Sequence, residues 1–294
     1  MKQILFVYNP VAGTGRVRKK IFEIIDYYNS NECLVTLYPI RKINDLYHLL
    51  KTDNKQYDAV VCSGGDGSLN EVISFFMKCG IKKPIGYIPS GTTNDYANSL
   101  EIPEDFFKAL TVTLNGNTCK FDLGKFNDKY FLYVAAFGMF TNISYNTPQK
   151  AKNLLGHTAY ILEGVKQLSE IKSYDIKISS KELCTEGSFI LGMITNSLSV
   201  GGYKYIMSDD VKLNDGEFEV VLVRKPQNIV ELNELITGLL KEEICHNKHI
   251  VYFKTSKLEL LSEQELEFTL DGEYGGKEKN IQIENLKEEI EIIV

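Results

Sequence analysis

The stretch VVCSGGDGSLNEVISFF, residues 60–76, places three glycines between two apolar runs. The run that ends at Cys62 is typical of a short buried strand. From Leu69 onward the apolar residues recur at the spacing of one helix face, which predicts a helix capped by Ser68. The sequence therefore predicts a strand, then a loop containing all three glycines (Gly64, Gly65 and Gly67), then a helix.

The same loop is suited to binding an anion. Glycine lets a ligand approach the backbone closely, and the free N–H groups at a helix start favour phosphate. Asp66 stands among these amides, and its carboxylate would repel phosphate unless a cation lay between them. The pattern thus predicts phosphate with Mg²⁺, which Asp66 faces directly or through water. The alternative is an ordinary strand-to-helix turn with a solvated aspartate.

Composition limits the class of protein. The chain has 294 residues, of which 44% are hydrophobic and 24% charged, as in globular proteins of one large domain or two smaller ones. A net charge of -6 argues against a general nucleic-acid binder. Six cysteines without a CxxC motif, and no secretion signal, indicate reduced thiols and a cytoplasmic location. The longest apolar stretch, residues 130–140, is too short to span a membrane.

The order of predicted elements changes near residue 120. Before it, strand-like and helix-like segments alternate, which is typical of a parallel sheet built from βαβ units. After it, strands dominate, with a predicted hairpin turn at Asn127–Asp128. We predict an α/β domain over residues 1–120 and a mostly antiparallel β domain over residues 121–294, and leave open that the C-terminal end packs back on the first domain. Ligands in such folds favour the junction between domains.

Three predicted loops share a composition rich in Gly, Asn, Ser and Thr: residues 9–16, 63–71 and 89–95. Each follows a strand, and in a parallel sheet all three would meet at one edge, where they can cradle a nucleotide. The first loop ends in GTGR and is not a Walker A motif, because the Gly-Lys-Ser/Thr ending is missing. No loop has the GxGxxG pattern with a later acidic residue that NAD-dependent redox enzymes use.

These loops and several later motifs resemble the diacylglycerol kinase catalytic domain family, in its bacterial lipid-kinase branch, which is related to sphingosine kinases. The matching motifs run in order along the chain: Asn9-Pro10 with Gly13 and Gly15, GGDGSLNE at 64–71, PSGTTND at 89–95, FDLG at 121–124, LNDGEFEVVLV at 213–223 and DGE at 271–273. GGDG alone is shared with NAD kinases and phosphofructokinases. The ordered series is far more specific.

The resemblance implies a fold and an activity. The fold is an N-terminal nucleotide-binding α/β domain with a parallel sheet, similar to NAD kinase and phosphofructokinase, followed by a β-sandwich-like lipid-substrate domain across a cleft. The activity is the ATP- and Mg²⁺-dependent transfer of the γ-phosphoryl group to a hydroxyl of a membrane lipid such as diacylglycerol. Such an enzyme is cytoplasmic and contacts the membrane peripherally. A homodimer is left open.

The resemblance also implies roles for individual residues. Those implied to contact the nucleotide are Asn9, Gly64, Gly65, Asp66, Gly67, Ser68, Leu69, Asn70, Thr92 and Asn94. Those implied to organise the catalytic Mg²⁺, directly or through water, are Asp66, Asp95 and Asp122. Besides Asp66, the catalytic residues are Asp271 and Glu273, one of which would accept the proton of the lipid hydroxyl. The segment KLNDGE resembles a structural magnesium loop that uses the Asp215 carboxylate and the backbone oxygens of Lys212 and Glu217.

Simpler interpretations remain beside this one. Asp215-Gly216 and Asp271-Gly272 are each typical of a tight turn, and Asn94-Asp95 is typical of a helix cap. Asp122 could pair with a neighbouring lysine. As a whole, the chain could also be a kinase for another alcohol, such as NAD, a sphingoid base or phosphatidylglycerol, or a catalytically silent nucleotide or lipid sensor. The sequence does not identify the acceptor.

Overall fold

The computed structural model describes residues 1–10, 15–40, 46, 50, 56–138, 172–197, 199–200, 203–204, 211–240 and 247–294, so that residues 11–14 of the first predicted loop lie outside it. The helices are α1 Arg16–Lys19, α2 Ile21–Ser30, α3 Asp66–Cys79, α4 Asp95–Ser99, α5 Phe106–Asn115 and α6 Ile229–Leu240. The strands are β1 Lys2–Tyr8, β2 Cys33–Pro39, β3 Ala59–Gly64, β4 Ile85–Pro89, β5 Thr118–Phe126, β6 Lys129–Phe131, β7 Val134–Gly138, β8 Tyr174–Ser180, β9 Cys184–Thr195, β10 Ser199–Val200, β11 Tyr203–Lys204, β12 Phe218–Arg224, β13 Ile250–Thr255, β14 Lys257–Leu270 and β15 Glu273–Ile293.

The first four strands lie in the order β2-β1-β3-β4 and pair in parallel, with Ile4 opposite Ala59 and Val61 opposite Gly86. Strands β3 and β4 are buried along their whole length, which fits apolar runs whose two faces are both covered. Because these strands run the same way, their carboxyl ends lie at one edge of the sheet. The loops after β1, β3 and β4 emerge there.

The C-terminal part is rich in β-strands, and among β5–β9 and β12–β15 each pairing is antiparallel, as predicted. Its hydrophobic core is centred on aromatic rings. The ring of Phe268 lies 4.7 Å from that of Phe126 and 5.2 Å from that of Phe137, centroid to centroid. Offset aromatic pairs at such distances stabilise a core beyond their buried area.

Strand β15 joins the two parts of the described chain into one hydrogen-bonded sheet. It pairs with β14 and β5, and its last residues pair in parallel with β4, where Ile292 lies opposite Ile85. Ile290, Ile292 and Ile293 are buried in the same hydrophobic cluster as the first four strands. No sequence pattern predicted this shared sheet, and the boundary at residue 120 stays a prediction.

Two predicted turns are confirmed. Asn127 and Asp128 join β5 to β6, with Phe126 opposite Lys129. Asp271 and Gly272 join β14 to β15, with φ of 51° and 83°. Two central residues with positive φ are what a tight hairpin with the usual strand twist requires.

The predicted start of α3 is wrong. The helix begins at Asp66, with Gly65 as the preceding cap residue, so Ser68 lies inside the first turn and does not cap it. A carboxylate is favoured in the first turn of a helix, so Asp66 is compatible with this position. Gly65 alone therefore separates β3 from α3. In the described part of the chain, no helix has the length and apolar character needed to cross a bilayer.

Candidate active site

The described parts of the three predicted loops meet at the carboxyl edge of the parallel strands. The Asn9 N–H donates to the Ser63 carbonyl at 3.1 Å, and the Ser90 N–H donates to the Gly64 carbonyl at 2.8 Å. Gly65 and Gly91 pack backbone against backbone, since a Cβ built on Gly91 would lie 2.8 Å from the Gly65 Cα. Only glycines allow this approach, so the loops form one continuous backbone surface.

Asn94 braces this surface. Its Oδ1 accepts from the Gly91 N–H at 2.8 Å, and its Nδ2 donates to the Gly91 carbonyl at 3.2 Å. Asn94 is the N-cap residue of α4, as the simpler interpretation expects, although its side chain makes no capping hydrogen bond to that helix. Thr92, at the tip of the same loop, is exposed.

Asp66 lies beneath this surface and is 7% exposed. Its Oδ1 accepts from the Tyr87 hydroxyl at 3.2 Å, and its Oδ2 accepts from the Asp95 backbone N–H at 2.9 Å. Burial, together with the charges of Asp271 and Asp95, raises the pKa of Asp66 to about 7, although the two hydrogen bonds oppose the shift. A carboxylate whose ionised form is disfavoured in this way gains from a nearby cation.

Asp271 reaches the same place from the other part of the chain, and its carboxylate is fully occupied. Oδ1 accepts from the N–H groups of Tyr133 and Val134 at 2.9 and 3.1 Å, and Oδ2 accepts from the Leu132 N–H at 2.7 Å and from Asn70 Nδ2 at 2.5 Å. An ionised carboxylate offers about four acceptor sites. Burial raises the pKa of Asp271 and these four bonds lower it.

Asn70 links the two parts of the site. Its Nδ2 also donates to the Tyr130 carbonyl at 3.2 Å, and its Oδ1 accepts from Ser74 at 2.8 Å. Asn70 follows Asp66 by one helical turn, so both lie on the same face of α3. Both N–H bonds of the Asn70 side-chain amide are already used in these hydrogen bonds, so Nδ2 cannot also donate to a nucleotide. Leu69 is fully buried in the core and could offer a nucleotide only its backbone.

Glu273 is the exposed carboxylate of the site. It lies over the first turn of α3, where a Cβ built on Gly67 would be 3.7 Å from Glu273 Oε1. Burial raises the pKa of the neighbouring Glu71, and the charge of Glu273 raises it further. Among the described residues no side chain or backbone group donates a hydrogen bond to the Glu273 carboxylate, in contrast to Asp271.

Asp95 and Asp122 occupy different positions. Asp95 is buried at the start of α4, directly beside Asp66. Asp122 is fully buried on β5, and its two carboxylate oxygens accept from the N–H groups of Gly216 and Glu288 at 2.7 and 2.8 Å. Its burial raises its pKa and these two bonds oppose the shift. In the described residues Asp122 has no hydrogen bond to either of the other aspartates, and its grouping with them stays a prediction.

The predicted structural-metal segment lies against Asp122. The Leu213 carbonyl accepts from the Asp122 N–H at 2.9 Å, and Asp215 Oδ1 accepts from the Glu217 N–H at 3.0 Å. This is a tight turn that leads into β12. Of the residues implied to hold the ion, Lys212 is exposed, and Asp215 and Glu217 are half-buried.

Comparison with known proteins identifies the family. The family model described as the diacylglycerol kinase catalytic domain matches residues 3–126. A diacylglycerol kinase of Staphylococcus epidermidis is 32% identical over 294 residues, which cover 99% of this chain and 92% of that protein. The chain belongs to the diacylglycerol kinase family. A Bacillus subtilis diacylglycerol kinase is 31% identical, with 94% of this chain and 91% of that protein covered.

The structures of other family members have the same fold. A diacylglycerol kinase from Bacillus anthracis matches with a TM-score of 0.73 at 20% identity, covering 99% of this chain and 96% of that chain. The predicted family and the predicted enzyme class, a lipid kinase of the diacylglycerol kinase type, are confirmed. The roles of individual residues stay predictions.

Sequence reasoning missed Tyr87, which donates to Asp66 and lies 3.2 Å from the Gly64 carbonyl oxygen. Its one signal in the sequence is a tyrosine in the otherwise apolar strand IGYIP, directly before a candidate loop. The contact depends on the register of β3 and β4, in which Tyr87 lies opposite Cys62. Register between strands is set by packing and is not visible in a single strand.

The structural-metal prediction can be tested by melting. We expect Mg²⁺ to raise the Tm of the wild type and Asp215→Ala to lose most of that rise, so that the substitution lowers the Tm more in Mg²⁺ than in EDTA. An ion that binds only the folded state adds about 2.7 kcal/mol when present at a hundred times its Kd. The adjacent exposed Asn214 supplies the control, since Asn214→Ala should keep the full rise. If Mg²⁺ leaves the wild-type Tm unchanged, this segment is a turn that binds no structural ion.

Proposed function

We propose that this chain is an ATP- and Mg²⁺-dependent kinase that transfers the γ-phosphoryl group of ATP to the hydroxyl of diacylglycerol. One observation carries the proposal. The start of α3 brings together a buried carboxylate, Asp66, and an exposed carboxylate, Glu273, from positions about 200 residues apart. We take diacylglycerol as the acceptor because the relatives are named diacylglycerol kinases.

We assign ATP to the continuous backbone surface that the loops form at Gly65 and Gly91. At the start of α3 the N–H groups of Asp66 and Gly67 have no acceptor among the described residues, and the neighbouring Gly65 and Gly91 carry no side chain. Phosphate favours such a position because the N–H groups point at it and the helix dipole attracts negative charge. We assign the phosphates to residues 64–68, with Asn9 and Thr92 at the margins. Asn70 serves instead to hold the Asp271 turn.

Magnesium is assigned to the carboxylates beneath that surface. The oxygen donors of Asp66 and Asp95 suit a hard cation, and because burial and neighbouring carboxylates raise the pKa of Asp66, a cation beside it would favour its ionised form. Asp122 would act through water, since its oxygens already accept two backbone bonds. When bound, Mg²⁺ neutralises charge on the transferring phosphoryl group.

The proton acceptor is assigned to Glu273. A general base must be within reach of the acceptor hydroxyl and must have a lone pair free to take its proton. Glu273 is exposed beside Gly67 and accepts no hydrogen bond from a described residue, whereas Asp271 accepts four. We therefore assign to Asp271 the task of fixing the turn that carries Glu273.

The acceptor also implies where the enzyme works. Diacylglycerol stays in the bilayer because its acyl chains are apolar, so a kinase that acts on it must come to the membrane surface. We propose a cytoplasmic enzyme that contacts the membrane peripherally.

Labelled ATP distinguishes the acceptors. The purified chain would be given γ-labelled ATP, Mg²⁺ and micelles that each contain one lipid: diacylglycerol, phosphatidylglycerol, a sphingoid base or a polyprenol, with free NAD as a soluble acceptor. We expect label in phosphatidic acid, abolished by Asp66→Asn. Faster labelling of another acceptor would contradict the substrate, and no transfer to any of them would contradict the kinase.

A further inference from the structure

The turn that carries Glu273 is followed by a bulge in β15. The strand has one extra residue, Gly275, between the two residues that pair with Phe268 and Thr269 of β14. A bulge bends its strand and changes the direction of nearby side chains, and bulges are common next to active sites. This one lies two residues after Glu273.

Two adjacent glycines make this bulge possible. A Cβ built on Gly275 would lie 2.9 Å from Leu270 Cγ and 3.1 Å from the Phe268 carbonyl oxygen. Gly276 has a φ of 118°, which residues with a Cβ rarely adopt. The glycine pair thus specifies the bulge at this point of the strand.

Lys129 reaches the bulge from the hairpin of β5 and β6. Its Nζ donates to the Gly275 carbonyl at 2.5 Å, and a Cβ built on Gly276 would lie 3.2 Å from the same atom. The extra residue of a bulge is left unpaired in the ladder, and here a charged donor takes the place of the missing partner. Lys129 forms no ion pair with a described residue, so the bulge is not sharing its amine with a carboxylate there.

The segment 129–134 holds the chain on both sides of Glu273. Backbone N–H groups at the end of the segment hold Asp271, two residues before Glu273. Lys129, at its start, holds Gly275, two residues after Glu273. Since Glu273 is exposed and accepts no hydrogen bond from a described residue, the direction of its side chain depends on the backbone between these two anchors.

We propose that Lys129 is a positioning residue for Glu273, and that it acts by fixing the bulge at Gly275. The role of Glu273 as proton acceptor rests on the proposed function, whereas the fixed bulge does not. A base must lie within hydrogen-bond reach of the hydroxyl that it deprotonates, and a displacement of about 1 Å can lower a rate by about a hundredfold. In this role Lys129 contacts neither ATP nor lipid.

Amide hydrogen exchange of the full chain tests the fixed bulge without ATP, lipid or turnover. Lys129→Met keeps the length of an exposed side chain and removes its donor. We expect exchange in a peptide that covers residues 271–276 to become about tenfold faster, with no change in α2. The matched control is Lys125→Met on the same hairpin, whose side chain makes no hydrogen bond to a described residue, and it should exchange like the wild type. Equal exchange by Lys129→Met and the wild type overturns the proposal.

Lipid phosphorylation and calorimetric ATP binding test the positioning role. We expect Lys129→Met to lower kcat about tenfold with an unchanged Kd for ATP, and Lys129→Arg to restore most of the rate, because a guanidinium group can donate to the same carbonyl. Full transfer by Lys129→Met, or an equal loss in Lys129→Arg, overturns the role. Loss of ATP binding in proportion to kcat also overturns it, because Lys129 is then a nucleotide contact. If exchange changes as expected but the wild type phosphorylates no lipid, the proposed function fails and the fixing of the bulge by Lys129 stands.

Discussion

Replacing Asp66 with asparagine should lower the rate of phosphoryl transfer by about 10³-fold and leave the protein folded. Asparagine has the same shape and can still accept from the Asp95 N–H and contact the Tyr87 hydroxyl. It lacks the negative charge that would hold a cation under the phosphates. Since phosphoryl transfer depends mainly on positioning and charge neutralisation, loss of that charge should affect the rate far more than the fold.

The same substitution should stabilise the metal-free protein at high pH. The folded-state pKa of Asp66 is about 7, against 3.8 for the free side chain, so the folded state binds an extra proton between these values. The contribution of Asp66 to the free energy of unfolding therefore falls as pH rises from about 4 to 7 and is level above. At pH 8 in EDTA, Asp66→Asn should be more stable than the wild type by up to about 4 kcal/mol, and at pH 4 the two should agree.

Two measurements check this prediction: transfer to lipid in micelles, and urea unfolding in EDTA at several pH values. The control is Asp105→Asn, an exposed aspartate that caps α5, because asparagine caps helices equally well. It should change neither the rate nor the pH dependence. A folded Asp66→Asn protein with wild-type turnover would remove Asp66 from the catalytic site.

Replacing Glu273 with glutamine should lower kcat for the lipid by about 10²–10³-fold, with little change in ATP affinity or Tm. The side chain is exposed and accepts no hydrogen bond from a described residue, so its loss disturbs little else. Asp271→Asn should behave differently. Its amide N–H₂ would oppose a backbone donor, so we expect a lower Tm as well as a lower kcat.

Calorimetric ATP binding, lipid phosphorylation and melting separate the two roles. Glu278→Gln, an exposed glutamate on the same strand, is the control and should match the wild type in all three. If Glu273→Gln keeps full transfer while Asp271→Asn loses it at an unchanged Tm, the base is Asp271. If both variants lose ATP binding as much as transfer, the 271–273 turn belongs to the nucleotide site.

The sequence alone determined the local elements and the family. Apolar runs with glycine-rich ends predicted the strands β1, β3 and β4 and their loops, because strand burial and turn chemistry depend on a few adjacent residues. The turns at 127–128 and 271–272 were predicted for the same reason. The ordered motifs identified the family, since each records a local backbone requirement and their order spans the chain.

What only the tertiary structure decided was the state of each functional group. Asp271 and Glu273 are two residues apart and equal candidates in the sequence, but distant N–H groups and Asn70 occupy the first carboxylate and leave the second open. Asp122, grouped in sequence reasoning with the catalytic aspartates, is held by Gly216 and Glu288. The hydrogen bonds of Asp122 and Asp271 come from residues 94 to 201 positions away in the chain, and they exist only once β15 has joined the two parts into one sheet.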